Sequence, residues 1–106
     1  MAFTNPLHGH PNAKALREAG GNYLRTLRES RALTQLQVAN AVGFPFYTTV
    51  SQVELGNARL PPDKLGAWAD VLGADRRAFT KQLLEFYDPH THAALFGSPR
   101  TRTQRN

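Results

Sequence analysis

The chain of 106 residues is long enough for one domain, and its 41% apolar content suffices for a compact core but not for a deep catalytic cleft as well. It contains no cysteine, which excludes a disulfide framework and a thiolate metal site. The net charge of +5 favours an anionic partner, although Arg100, Arg102 and Arg105 lie close together at the C-terminal end.

The N-terminal segment 1–12 is rich in Pro, Gly, His and Asn, and we expect it to form a flexible arm. It lacks the charged-then-apolar order of a signal peptide, and the chain has no run of about 18 apolar residues that could span a membrane. The cytoplasm is therefore the expected location. A first helix is predicted over about 13–31, where Gly20 and Gly21 interrupt the pattern and could mark its true start. Its apolar side consists of Leu16, Tyr23, Leu24 and Leu27.

The segment LTQLQVANAVGFPFYTTVSQVELG, residues 33–56, fits two short helices joined by a tight turn. Thr34 can cap the first helix with its side-chain oxygen, and Gly43 can end it in the left-handed conformation. The apolar positions of this helix are Leu36, Val38, Ala39 and Val42. The second helix, over about 47–55, is predicted to bury Val50 and Val53. Its other side is polar and uncharged, which suits a DNA groove.

The C-terminal half predicts three more helices, so the expected fold class is all-α. Prolines suit the start of a helix at 61–62, and Gly73 suits its end; its buried residues are Leu65, Trp68, Ala69 and Leu72. A helix over about 75–87 places Leu84 and Tyr87 to the side of an apolar face formed by Phe79, Leu83 and Phe86. Asp88 and Pro89 then begin a short helix that ends at Gly97 and contains Ala93, Leu95 and Phe96. The tail 98–106 is expected to be disordered and basic.

These motifs resemble the helix-turn-helix regulators of the phage repressor and Cro type, the XRE family. The agreement begins near Asn22 with YLRTLRESRALTQ and extends into LPPDKLGAWADVLG, which is about half of the chain. Gly43 and Val50 are one residue further apart than in the family, and the inserted turn contains a proline. The resemblance implies a five-helix repressor-type helix-turn-helix domain with a short extra C-terminal helix, over residues 13–97.

The resemblance also implies which residues contact DNA. Gln35 occupies the position that binds a phosphate at a helix start, where backbone donors and the helix dipole assist. The positions that reach base edges carry Tyr47, Thr48 and Gln52; a glutamine can bond adenine, and a threonine methyl can contact thymine. Because this helix has no Arg or Lys, we expect an operator that is read at A·T pairs. Further contacts are expected from Thr49, Ser51, Asn57 and Arg59.

Several of these residues have a structural alternative. Phe46 is expected to close the inserted turn as a hydrophobic staple, and Tyr47 could do the same instead of binding DNA. Arg59 could be only a solvated loop charge. Arg28 and Glu54 match a pair that forms a salt bridge between the first and third helices of similar repressors. Removal of one partner would cost on the order of 3 kcal/mol if the pair is well buried.

A catalytic or metal-dependent role has little support in the sequence. His8 with His10, and His90 with His92, are spaced as metal ligands can be, but no cysteine or acidic cluster completes a set. The motifs of nucleophilic, phosphate-binding and paired-carboxylate sites are missing. We expect no enzyme activity, cofactor or metal. We also expect no small-molecule ligand, because too few residues remain for a sensor domain.

Two functions fit this reading. The first is a sequence-specific transcriptional regulator, a repressor that binds an inverted repeat of double-stranded DNA as a homodimer joined through residues 79–97. The second copy would contact Leu84, Tyr87, Leu95 and Phe96. The alternative is an antitoxin-like module in which these residues face a protein partner and DNA binding serves autoregulation. In either case, the three tail arginines are expected to add phosphate contacts that are independent of sequence.

Overall fold

The computed structural model describes residues 12–97, and this part of the chain is all-helical with no strand. The predicted fold class, with six helices and the helix-turn-helix motif, is confirmed. A short 3₁₀ turn at Pro62–Lys64 precedes the fourth helix. The helices are α1 (Ala13–Ser30), α2 (Gln35–Val42), α3 (Thr48–Leu55), α4 (Leu65–Val71), α5 (Arg76–Tyr87) and α6 (Pro89–Phe96).

One core joins the first five helices. Its largest fully buried side chains are Trp68 from α4, Phe79 and Leu83 from α5, and Leu24 from α1. The motif helices add Val38, Ala39, Val50 and Val53, which are at most 1% exposed. Complete burial of one such large apolar side chain stabilises the fold by roughly 1.5–3 kcal/mol. The core therefore fixes the backs of α2 and α3 against the rest of the domain.

Local signals set both ends of α2, as predicted. The Thr34 hydroxyl oxygen accepts a hydrogen bond from the Gln37 backbone N–H at 3.0 Å, and the Gln37 side-chain oxygen accepts one from the Thr34 N–H at 2.8 Å. This reciprocal arrangement satisfies two donors that the first helical turn leaves unpaired. Gly43 has φ = +88°, and the Phe44 N–H returns to the Ala39 carbonyl at 2.9 Å. The chain can therefore turn sharply towards α3.

Helix α1 is present over the predicted range, and the alternative start at the glycine pair is wrong. The helix runs without interruption through Gly20 and Gly21, and both are buried. A Cβ at position 21 would collide with the backbone carbonyls of Val53 and Glu54. Glycine is present because it permits the backbone of α1 to approach α3 closely, a use that outweighs its low helix propensity.

The inserted turn separates two phenylalanines. Phe44 packs edge-on against Trp68, with ring centroids 5.9 Å apart, whereas Phe46 is 68% exposed. The prediction that Phe46 acts as a hydrophobic staple is therefore wrong, because Phe44 closes the turn onto the core in its place. Helix α3 begins at Thr48, one residue later than predicted, and Tyr47 occupies its N-cap position with 50% exposure.

The C-terminal helices begin at capped residues. The Asp75 carboxylate accepts from the Ala78 N–H at 2.9 Å, and the Asp88 carboxylate accepts from the Thr91 N–H at 3.2 Å. Tyr87 departs from its predicted place to the side of α5, because it is only 5% exposed and its hydroxyl accepts from the Leu60 N–H at 3.2 Å. Burial raises the pKa of Tyr87. Little of this side chain is left to face a second copy.

Two predicted segments lie wholly or largely outside the described residues. These are the N-terminal arm, of which only Asn12 is described, and the tail 98–106. His8, His10 and the three tail arginines are in them. None of the helices within residues 12–97 combines the length and the apolar character that a membrane span requires.

Candidate nucleic-acid interface

Helix α3 presents an uncharged polar surface to solvent. Thr48 and Gln52 are exposed, and Thr49 and Ser51 are half-buried beside them. The only charged residue of α3 is Glu54, which is 7% exposed and turned into the protein. Side chains that can donate and accept hydrogen bonds, with no net charge, can contact base edges in the major groove.

Gln52 is oriented by a neighbour at the end of the helix. The Asn57 side-chain amide donates to the Gln52 side-chain oxygen at 3.0 Å. The Gln52 NH₂ group is then the free end of the side chain and can donate to an acceptor on a base, such as adenine N7. Asn57, predicted as a direct DNA contact, thus lies where it can hold the Gln52 side chain.

A buried ion pair fixes α3 to α1. Arg28 Nε donates to Glu54 Oε2 at 2.7 Å, and a second guanidinium nitrogen donates to Oε1 at 3.0 Å. Only 12% of the Arg28 side chain and 3% of the Glu54 side chain are exposed. The hydrogen bond to Glu54 raises the pKa of Arg28 above its usual value. The predicted salt bridge is therefore present, in a bidentate geometry that restricts the angle between the two helices.

The same carboxylate also binds α2. The Gln35 side-chain NH₂ donates to Glu54 Oε1 at 3.0 Å, and the third Arg28 nitrogen donates to the Leu33 carbonyl at 2.8 Å. Three helices thus meet at Glu54. Because an amide NH₂ carries two donors, one Gln35 hydrogen is still available to a phosphate. Gln35, the predicted phosphate-binding residue, is half-buried, and its side chain is held by Glu54.

Arg59, in the loop between α3 and α4, lies against an aromatic ring. Its guanidinium carbon is 5.0 Å from the centroid of the Tyr87 ring, and the side chain is half-buried. A cation over a ring face is held there by the ring quadrupole. The contact places a fixed positive charge four residues after α3, which differs from the fully solvated loop charge considered above.

A shallow apolar groove of about 450 Å³ lies between α5 and α6. Leu84, Leu95 and Phe96 line it, and of these Leu95 is 65% exposed. Arg76, Arg77 and Lys81 also line this groove, and Lys81 Nζ lies 4.6 Å from the centroid of the Phe96 ring. Three of the four predicted dimer residues therefore share one surface, and Tyr87 is in the core.

Sequence reasoning did not foresee three features of the site. They are the close approach at Gly21, the hydrogen bond from Gln35 to Glu54, and the orientation of Gln52 by Asn57. Only the first had a local signal, because two glycines inside a long amphipathic helix indicate close packing as readily as a break. Among residues 12–97, no three His, Cys, Asp or Glu side chains are grouped as metal ligands would be.

The motif helices, their buried backs and the polar face of α3 define a helix-turn-helix protein. A family model described as "Helix-turn-helix domain" matches residues 21–80, more than half of the chain, and the protein belongs to this family. The resemblance to XRE-like regulators is thereby confirmed at the level of the domain. Membership indicates a DNA-binding regulator. No curated protein matches the chain.

Proposed function

We propose that this protein is a sequence-specific repressor that binds an inverted-repeat operator in the cytoplasm. The observation that carries the proposal is the contrast between the two sides of α3. One side is fixed by Val50, Val53 and the Glu54 ion pair, and the other presents Thr48 and Gln52 to solvent. A rigid helix with exposed groups of this kind suits the major groove, which offers a distinct pattern of donors and acceptors for each base pair.

The phosphate contacts of this proposal come from the edges of the motif. Gln35 at the start of α2 binds one phosphate together with the free backbone N–H groups of the helix end. Arg59, held over Tyr87, neutralises a second phosphate after α3. Tyr47, Thr49 and Ser51 lie beside the base-reading side chains and add contacts at the margin of the groove. These interactions position α3 on the DNA. Sequence preference then comes from Thr48 and Gln52.

Selection of bound sequences from a random DNA pool tests the proposal. Enrichment of one motif is expected, with half-sites about 10 base pairs apart. Gln52→Ala should then weaken binding to that motif by about 1–3 kcal/mol and relax one symmetric pair of positions, with little change on random DNA. Asn22→Ala on α1, which removes an exposed amide outside the motif helices and outside residues 79–97, is the matched control and should leave both affinities unchanged. Failure to enrich any motif would contradict the proposal.

The homodimer is proposed to form across the α5–α6 groove. The uncharged surface of α3 offers few strong contacts, so one copy would bind weakly, whereas two copies on one face of the duplex combine their contacts. Leu84, Leu95 and Phe96 provide apolar surface that the monomer leaves open. Sedimentation of the protein with and without operator DNA measures its oligomeric state. A monomer under both conditions would contradict this part of the proposal.

A second candidate function uses the same groove for a different protein, as in an antitoxin that regulates its own operon. The observation in its favour is the charge of the lining, where Arg77 and Lys81 are cationic and no acidic side chain is present. An acidic amphipathic segment would complement this surface, whereas a second copy brings the same cations. Co-expression with the product of the adjacent gene, followed by mass measurement of the purified complex, separates the two candidates.

A further inference from the structure

Phe46 is the most exposed large apolar side chain among residues 12–97, at 68%. Phe46 does not contribute to the core, because Phe44, two residues earlier, packs on Trp68 and closes the turn. An aromatic ring of this size gains free energy when it is removed from water, in proportion to the apolar area that is covered. The free protein leaves that gain unused, so contact of Phe46 with a partner would release it.

The place of Phe46 in the fold identifies the partner surface. It directly precedes Tyr47, the N-cap of α3, and Thr48, the first residue of that helix. In a helix-turn-helix complex, the N-terminal residues of the recognition helix are those that contact base edges in the major groove. Pro45, whose ring fixes φ, immediately precedes Phe46 and limits the freedom of the turn. Ordering of the ring on DNA therefore costs less conformational entropy than in a glycine-rich turn.

The major groove offers one apolar group to such a ring, the C5 methyl of thymine. The exposed surface of α3 has no arginine or lysine that could read guanine. We infer that Phe46 is a specificity-determining residue that packs on a thymine methyl at the edge of each half-site. This inference rests on the proposed function and adds to it an apolar contact beside the hydrogen bonds of Thr48 and Gln52.

A uridine scan of the selected operator tests the contact atom by atom. Each thymine is replaced in turn by deoxyuridine, which lacks only the C5 methyl and keeps the base-pairing groups. With the unmodified protein, substitution at one symmetric pair of thymines should weaken binding about fourfold for each half-site, the effect of losing one buried methyl group. With Phe46→Ala, the same substitution should have no effect, while the effects at all other thymines stay as they were.

Leu55→Ala is the matched control, since Leu55 is 56% exposed at the opposite end of α3. This variant should keep the full deoxyuridine effect. Thermal unfolding checks that Phe46→Ala is folded, which its exposure predicts. Undiminished deoxyuridine effects in Phe46→Ala, or no effect at any thymine of the operator, would overturn the inference and leave the proposed function intact. A chain that enriches no DNA motif in the selection would refute both.

Discussion

Helices α3 and α6 are each eight residues long, yet they differ in how much of each helix is buried against the rest of the fold. Helix α3 buries Val50, Val53 and Glu54 against α1 and α2. Helix α6 has no buried residue and packs chiefly on α5, with Leu95 exposed. The proposed reading of DNA by α3 requires a helix with a fixed position, and the buried back of α3 provides one. The proposed partner contact at α6 would cover apolar groups that this helix leaves in solvent.

The largest expected effect comes from the ion pair that fixes α3. Arg28→Met leaves the Glu54 carboxylate buried with only Gln35 as a donor, and we expect a loss on the order of 3 kcal/mol in the free energy of unfolding. Arg25→Met is the matched control, because Arg25 forms an exposed pair with Glu29 at 3.5 Å and should change stability by less than about 0.5 kcal/mol. Urea unfolding measures both variants.

A second variant tests whether the ion pair serves to position α3 more than to stabilise the fold. In Arg28→Met combined with Glu54→Leu, no charge is left unpaired, so most of the lost stability should return. DNA affinity should stay below that of the unmodified protein, because the contacts that orient α3 and Gln35 are absent. Full recovery of affinity in the double variant would show that the network has no positioning role.

The close contact between α1 and α3 is expected to give the next largest effect. Gly21→Ala places a methyl group against the Val53 and Glu54 carbonyls, and overpacking of this kind costs about 2 kcal/mol. Gly20→Ala is the control in the same helix. A Cβ at position 20 would lie 3.2 Å from the Phe86 side chain, and the gain in helix propensity should offset the strain of this contact. Calorimetry should therefore show a lower Tm for Gly21→Ala alone.

The buried tyrosine at the end of α5 gives a smaller, pH-dependent effect. Tyr87→Phe leaves the Leu60 N–H without a partner and should cost about 1 kcal/mol at neutral pH. Burial raises the pKa of Tyr87 in the folded state, so its contribution is complete below the ordinary tyrosine pKa. It declines as pH rises above about 10, where the unfolded chain ionises first. The stability difference between the two proteins should therefore shrink in alkaline urea titrations.

The smallest effect on the monomer is expected at α6. Leu95→Ser removes a side chain that is 65% exposed, and the free energy of unfolding of the monomer should change by less than about 0.5 kcal/mol. The dimer should weaken by about tenfold or more if Leu95 lies in its interface. Leu36→Ser on α2, where Leu36 is 52% exposed, is the control and should leave association unchanged. Equal association of both variants would place the interface elsewhere.

The amino-acid sequence by itself determined the helices and most of their ends. Thr34, Gly43, Asp75 and Asp88 act through hydrogen bonds and backbone preferences within a few residues, so their effects can be inferred from the chain directly. The all-helical fold and the helix-turn-helix motif follow from the same local signals and from the spacing of apolar residues along each helix. The pairing of Arg28 with Glu54 was accessible through resemblance, although 26 positions separate the two residues.

The tertiary structure decided which side chains the core uses and which it leaves open. Phe44 and Phe46 have the same chemistry and lie two positions apart, and only the direction of the turn buries the first and exposes the second. Gly21, Tyr87 and Gln35 likewise owe their roles to partners 19 to 33 positions away. The partner is Glu54 for Gly21 and Gln35, and Leu60 for Tyr87. Such contacts depend on how the helices are placed relative to one another. Hydrophobic periodicity shows which face of a helix is buried, but it does not show which other helix packs against that face.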